Sequence, residues 1–224
     1  MACWSSENAT KAYLRAVKMG KRGKEPDSAE FISALAAGNN AQLMVMVSST
    51  RAAVEDASMT VALVAAAHQT GGRVVHVSPG PDESRASRDA LGSHARRVEF
   101  VVGKARTLLL NELRGADFVL LDCREDDPRG AFEAVRECGG GIVVGYNALQ
   151  EGALWSGLRG HFLPIGEGLM VTRIANGAKF GSRIGSGSGG CCRKKSRWVV
   201  TVDDSTGEEH VFRIVSPQQK RIED

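Results

Sequence analysis

Asp122 ends an apolar run, FVLLD, and Glu125, Asp126 and Asp127 follow closely behind it. Carboxylates at this density are the material of general acid–base chemistry. Asp127 ahead of Pro128 has a competing use, as the N-cap of a helix whose positive end favours nearby acids. That use absorbs the cluster and leaves Asp122 as the best single candidate for a functional side chain. Cys123 beside it could serve as a thiolate nucleophile, but no histidine lies close in sequence. A buried small apolar residue is the simpler reading of Cys123. The histidines His68, His76, His94, His161 and His210 show no HExxH or other metal-ligand spacing. His76 falls inside an apolar run, where a neutral, hydrogen-bonded imidazole is expected. Cys191-Cys192 ahead of Arg193-Lys194-Lys195 suits palmitoylation or an acidic membrane surface, and the basic run equally suits nuclear import. A solvated linker is the plainer reading of that segment.

The elements that must position Asp122 alternate. AQLMVMV, RVVHV (73–77), VEFVV (98–102), FVLLD and GIVVGY (141–146) are strand-length apolar runs. Between them, helices are predicted over 60–69, from 82 to about 93, over 104–113 and over 128–138. Two helices precede the first strand. One is capped by Ser5 or Ser6, with Ala9, Tyr13, Ala16 and Val17 on one face. The other opens at Pro26-Asp27, carries Phe31, Ile32, Leu35 and Ala36 on its apolar face, and stops at Gly38. Near-continuous apolar strands alternating with helices predict a parallel sheet covered on both faces, wound by right-handed crossovers. After Leu158 the alternation ends, and LRGHFLPI and LMVTRIA flank Gly166-Glu167-Gly168 as a hairpin. The expected organisation is an α/β domain over 1–175, a flexible basic Gly/Ser-rich linker over 176–197, and an appended hairpin over 198–224. A lone hairpin is barely stable in water, so this one is expected to dock on the main sheet or on a partner.

The chain has 224 residues, 42% hydrophobic and 25% charged, enough to build a core without metals or disulfides. No run approaches the ~20 apolar residues that span a bilayer. Five cysteines without a CxxC pair read as reduced thiols of a cytoplasmic or nuclear protein. The basic start leaves organelle targeting open. Of the formal charge of +3, Lys179, Arg183, Arg193, Lys194, Lys195 and Arg197 supply more than the whole. The rest of the chain is mildly acidic, which argues against nucleic acid as the partner of the folded domain.

Three stretches resemble the class I S-adenosylmethionine (SAM) dependent methyltransferases, and among them the caffeoyl-CoA and catechol-type O-methyltransferases. VEFVVGKA looks like the family's third strand with its adenine-side Gly-x-Ala, here Gly103 and Ala105. FVLLD followed by CREDD looks like the fourth strand and its aspartate, and VVGYNAL like the end of the fifth. FLPIGEGLMVTRI looks like the terminal hairpin. Across nearly its whole length the chain also resembles a plant family known only as domain of unknown function 1442, through WSSENATKAY, SALAAGNNA and SRWVVTVD…GEEHVFR. The resemblance implies a Rossmann-like methyltransferase sandwich ending in an antiparallel hairpin. It implies SAM as the cofactor, held near Ser48, Ser78, Gly103, Ala105 and Asp122.

The departures concern the same positions. A SAM site has a glycine-rich turn after the first strand, because only glycine lets backbone approach the ligand so closely. No glycine occurs from Ala41 to Thr70. Where the family has an acid for the ribose after its second strand, this chain has Ser78, with Asp82 and Glu83 only a few residues on. The family's metal-binding Asp-Asn pair is Asn147-Ala148, so a divalent ion is not expected. These gaps imply a degenerate cofactor site in a non-catalytic binding or regulatory module, with the C-terminal tail as the contact for a protein partner. The alternative is an active SAM-dependent O-methyltransferase for a small or acyl-linked substrate.

Overall fold

The structure is a computed structural model that describes residues 4–19, 28–49, 53–150, 160–174, 196–202 and 209–215. The chain divides into two units, Met1–Lys179 and Phe180–Asp224. In the first, a sheet has the order β3-β2-β1-β4-β5-β7-β6, with β1 Leu43–Val47, β2 Arg73–Ser78, β3 Val98–Val102, β4 Phe118–Asp122, β5 Gly141–Tyr146, β6 His161–Leu163 and β7 Leu169–Ile174. Strands β1 to β5 are parallel, and β7 runs antiparallel between β5 and β6. The α/β reading holds, including the antiparallel end. The turn joining β6 to β7 needs backbone that glycine supplies, with Gly166 at φ +55° and Gly168 at φ +85°.

Alternation along the strands divides the core. Met44, Met46, Val74, Phe118, Leu120 and Val144 face α1 (Ser6–Met19), α2 (Ser28–Gly38) and α3 (Ala53–Thr70). Val45, Val47, Val75, Val77, Val119, Leu121 and Val143 face α5 (Ala105–Leu110) and α6 (Pro128–Glu137). Both faces are covered, which is why the strands carry no polar alternation. The remaining helix, α4 (Pro81–Leu91), packs on α3, β2 and β3 and runs into a 3-10 turn over Gly92–Arg97. No helix among the described residues is long and apolar enough to cross a membrane.

Local caps follow the sequence, with one correction to a helix start. Ser5 caps α1 by accepting from Asn8 N, and Asp127 caps α6 by accepting from Gly130 N at 2.9 Å. Helix α3 begins seven residues before Thr60, because its first turns are polar and carry no apolar period. Helix α2 ends at Gly38 as the sequence predicts, and the left-handed residue beyond it is Asn40 at φ 55°. Gly38 is small because Trp4 lies against it, its ring 2.2 Å from where a Cβ would stand. The Pro26-Asp27 start of α2 and the linker lie outside the described residues.

In the second unit, β8 (Ser196–Val202) and β9 (Glu209–Val215) pair antiparallel as a hairpin.

Candidate functional site

Strand order reverses between β1 and β4, and in an open α/β sheet the crevice beyond such a switch point is where ligands sit. Asp122 is the last residue of β4 and is fully buried. Its carboxylate is enclosed by the chain itself. Ser49 Oγ donates to Oδ2 at 2.5 Å, and Asn147 Nδ2 donates to Oδ1 at 3.0 Å. Arg124 adds its backbone N–H to Oδ1 at 3.1 Å, Nε to Oδ1 at 3.2 Å and Nη2 to Oδ2 at 3.3 Å. A charge-assisted fork of this kind satisfies a buried carboxylate locally. Asn147 reaches it from a left-handed backbone at φ 58° directly after β5.

Behind this cluster lies a second one that sequence reasoning missed. Tyr146 Oη donates to Asp56 Oδ1 of α3. Burial first, then the charges of Asp56 and Asp122, holds the Tyr146 phenol well above its usual range, so it remains a donor. Thr60 Oγ1 donates its one hydrogen to Asp56 O at 2.7 Å, so at 3.1 Å it accepts from His76 Nδ1–H. That assigns the tautomer and leaves His76 Nε2, fully buried, without a partner. Burial pushes the His76 pKa down to about 4, so the ring is neutral as the apolar run suggests. Asp56 lies in the early turns of α3, ahead of the helix start that the apolar pattern predicts. The signal available was an acid within three residues of a long apolar helical stretch.

The sequence-derived residues fall at neighbouring strand ends. Ser48 follows β1 and bonds Val77 O through both N and Oγ at 3.0 Å. Ser78 ends β2 with a buried Oγ that has no partner, and its carbonyl accepts from Gly103 N at 3.0 Å. Ala105 is buried as the first residue of α5. Asp82 and Glu83 sit in the first turn of α4, with Asp82 paired to Arg85 at the surface. Cys123 is buried. Glu125 is half-buried, and burial raises its carboxyl above the usual range, against the Asp127 N–H it accepts. No group of three His, Cys, Asp or Glu side chains converges as metal ligands among the described residues.

These contacts test the implied cofactor. A ribose needs a polar group it can reach at the end of β2, and the amino-acid end of SAM needs free ones beside β1 and β4. Ser78 and Asp122 have no exposed surface, and Ser48 is spent on the Val77 carbonyl. The residues present do not fit SAM in the pose the resemblance implies. An open space does exist farther along the crevice, a cavity of ≈ 220 Å³ lined by Ser28, Met59, Tyr146, Asn147, Glu167 and Leu169 among others.

The fold matches solved methyltransferases. A methyltransferase from Geobacter sulfurreducens superposes with a TM-score of 0.51 at 19% identity, covering 76% of this chain and 91% of its own. A putative caffeoyl-CoA O-methyltransferase from Staphylococcus aureus gives 0.53 at 14% identity, covering 76% and 93%. An SAH-bound methyltransferase from Podospora anserina gives 0.53 at 13% identity, covering 78% and 91%. At these identities the likeness establishes the methyltransferase fold and nothing finer. No curated protein is matched by the sequence. The model of a family of unknown function, DUF1442, matches residues 1–214, and the chain belongs to that family.

Proposed function

We propose that this chain is a non-catalytic binding or regulatory module built on the methyltransferase fold. One observation carries the reading: the Asp122 carboxylate, at the strand end where this fold presents its ligand, is buried and bonded by Ser49, Arg124 and Asn147. A ligand arriving there has to break a paired, desolvated charge, which costs several kcal/mol before any contact is gained. The partner is a protein, engaged through the 176–224 tail with its basic run, in the cytoplasm or nucleus.

The cavity beside Tyr146 and Asn147 favours a second reading, an active SAM-dependent O-methyltransferase for a small or acyl-linked substrate. Thermal unfolding with millimolar SAM or S-adenosylhomocysteine separates the two. A ligand at about 100 times its dissociation constant adds about 2.7 kcal/mol, or roughly 5–10 °C for a chain of this size. The module reading expects no shift. A shift of that size would overturn it.

A further inference from the structure

At the opposite end of α3 from Asp56, about 18 Å along the helix axis at 1.5 Å per residue, basic side chains gather around His68. His68 sits in the last turn of α3. Arg97, from the 3-10 turn before β3, points Nη1 at His68 Nδ1 at 3.2 Å. A guanidinium has only donors, so the imidazole accepts at Nδ1 and is neutral. Arg15 comes from α1, which packs against α3, and His94 from the same 3-10 turn as Arg97. Burial lowers the His68 pKa first, and then Arg15, Arg97 and His94 lower it in that order. Among the described residues neither Arg15 nor Arg97 has an ion pair. The C-terminal dipole of α3 offers roughly half a negative charge, which offsets only part of two guanidiniums.

We propose that Arg15, His68, His94 and Arg97 form a binding site for the phosphate group of a small phosphorylated molecule. A phosphate monoester brings close to two negative charges and three acceptor oxygens, which suits two guanidinium forks and two imidazoles better than a carboxylate does. Arg73, at the start of β2 beside β3, is already paired with Glu99 at 3.2 Å, so a polyanion finds no free cation at that position. This site is separate from the crevice, and its assignment does not depend on whether SAM binds.

The test follows the His68 and His94 imidazole resonances of the full chain by NMR during titration with inorganic phosphate at constant ionic strength, with chloride as the control. Saturable shifts with phosphate alone are expected. Arg97→Gln and Arg15→Gln should each weaken apparent affinity at least tenfold, and Arg97→Lys by less. Arg85→Gln, whose cation is engaged with Asp82, should leave affinity unchanged. Shifts that follow ionic strength alone, or full affinity in Arg97→Gln, would overturn the site. A single-stranded RNA oligonucleotide that shifts the same resonances while phosphate fails to saturate would also overturn it, in favour of a polyanion surface.

Discussion

His76 makes folding stability depend on pH in a way the structure quantifies. Its ring projects from β2, fully buried against Thr60 of α3 and Phe100 of β3, and burial moves its pKa from 6.5 to about 4. In the unfolded chain the imidazole protonates near its ordinary value, so below pH 6.5 the unfolded state binds a proton that the folded state refuses. Stability from this residue is therefore complete above pH 6.5 and is lost as pH falls through the folded value. Linkage gives a loss of about 2 kcal/mol by pH 5 and about 3 kcal/mol by pH 4. Urea unfolding at a series of pH values, for wild type and for His76→Met, isolates this contribution. Methionine is chosen because Met44 and Met46 already pack on that face. The stability difference between the two proteins should move in favour of the variant by about 3 kcal/mol between pH 7.5 and 4. A difference that stays flat over that range would refute a neutral, desolvated His76.

Three further substitutions test other parts of the structure. Arg124→Gln leaves Asp122 buried beside neutral donors; because the Arg124 side chain is 30% exposed, the cost is set below the full buried-pair value, at about 2 kcal/mol. Calorimetry should show Tm lower by roughly 4–8 °C, and Asp122→Asn combined with Arg124→Gln should recover at least half of it. Gly72→Ala would place a Cβ 2.6 Å from Ala41 O and 2.7 Å from Gln42 O, so it should destabilise by about 2 kcal/mol in urea. Asp127→Ala removes the cap on Gly130 N and should cost about 1 kcal/mol in the same assay.

The sheet was legible because its strands announce themselves. LMVMV and GIVVGY are apolar on both faces, VEFVV is apolar but for Glu99, and β3 and β5 begin and end where the pattern says. Helix starts were less legible: AVEDAS has no apolar period, and it is α3 packing on α1, α2 and α4 that makes it helical. Asp122 could be found from its place at a strand end. The side chains around it could not, because Ser49 and Asn147 lie 73 and 25 residues away in sequence and only the β1-β4-β5 order joins them. Arg124 was adjacent all along, but an arginine two residues past an aspartate says nothing until a turn folds it back. The Asp56–Tyr146 contact spans 90 residues and had no local sign.

The central claim is that the polar groups at the ends of β1, β2 and β4 are buried or already bonded within the chain and take no SAM. Amide NMR shifts of Ser48, Ser78, Gly103, Asp122 and Tyr146, followed during titration with S-adenosylhomocysteine to millimolar concentration, test it most directly. The account predicts no saturable change at any of the five. Saturable shifts at Ser78, Gly103 and Asp122 together would contradict it and place a cofactor in the crevice.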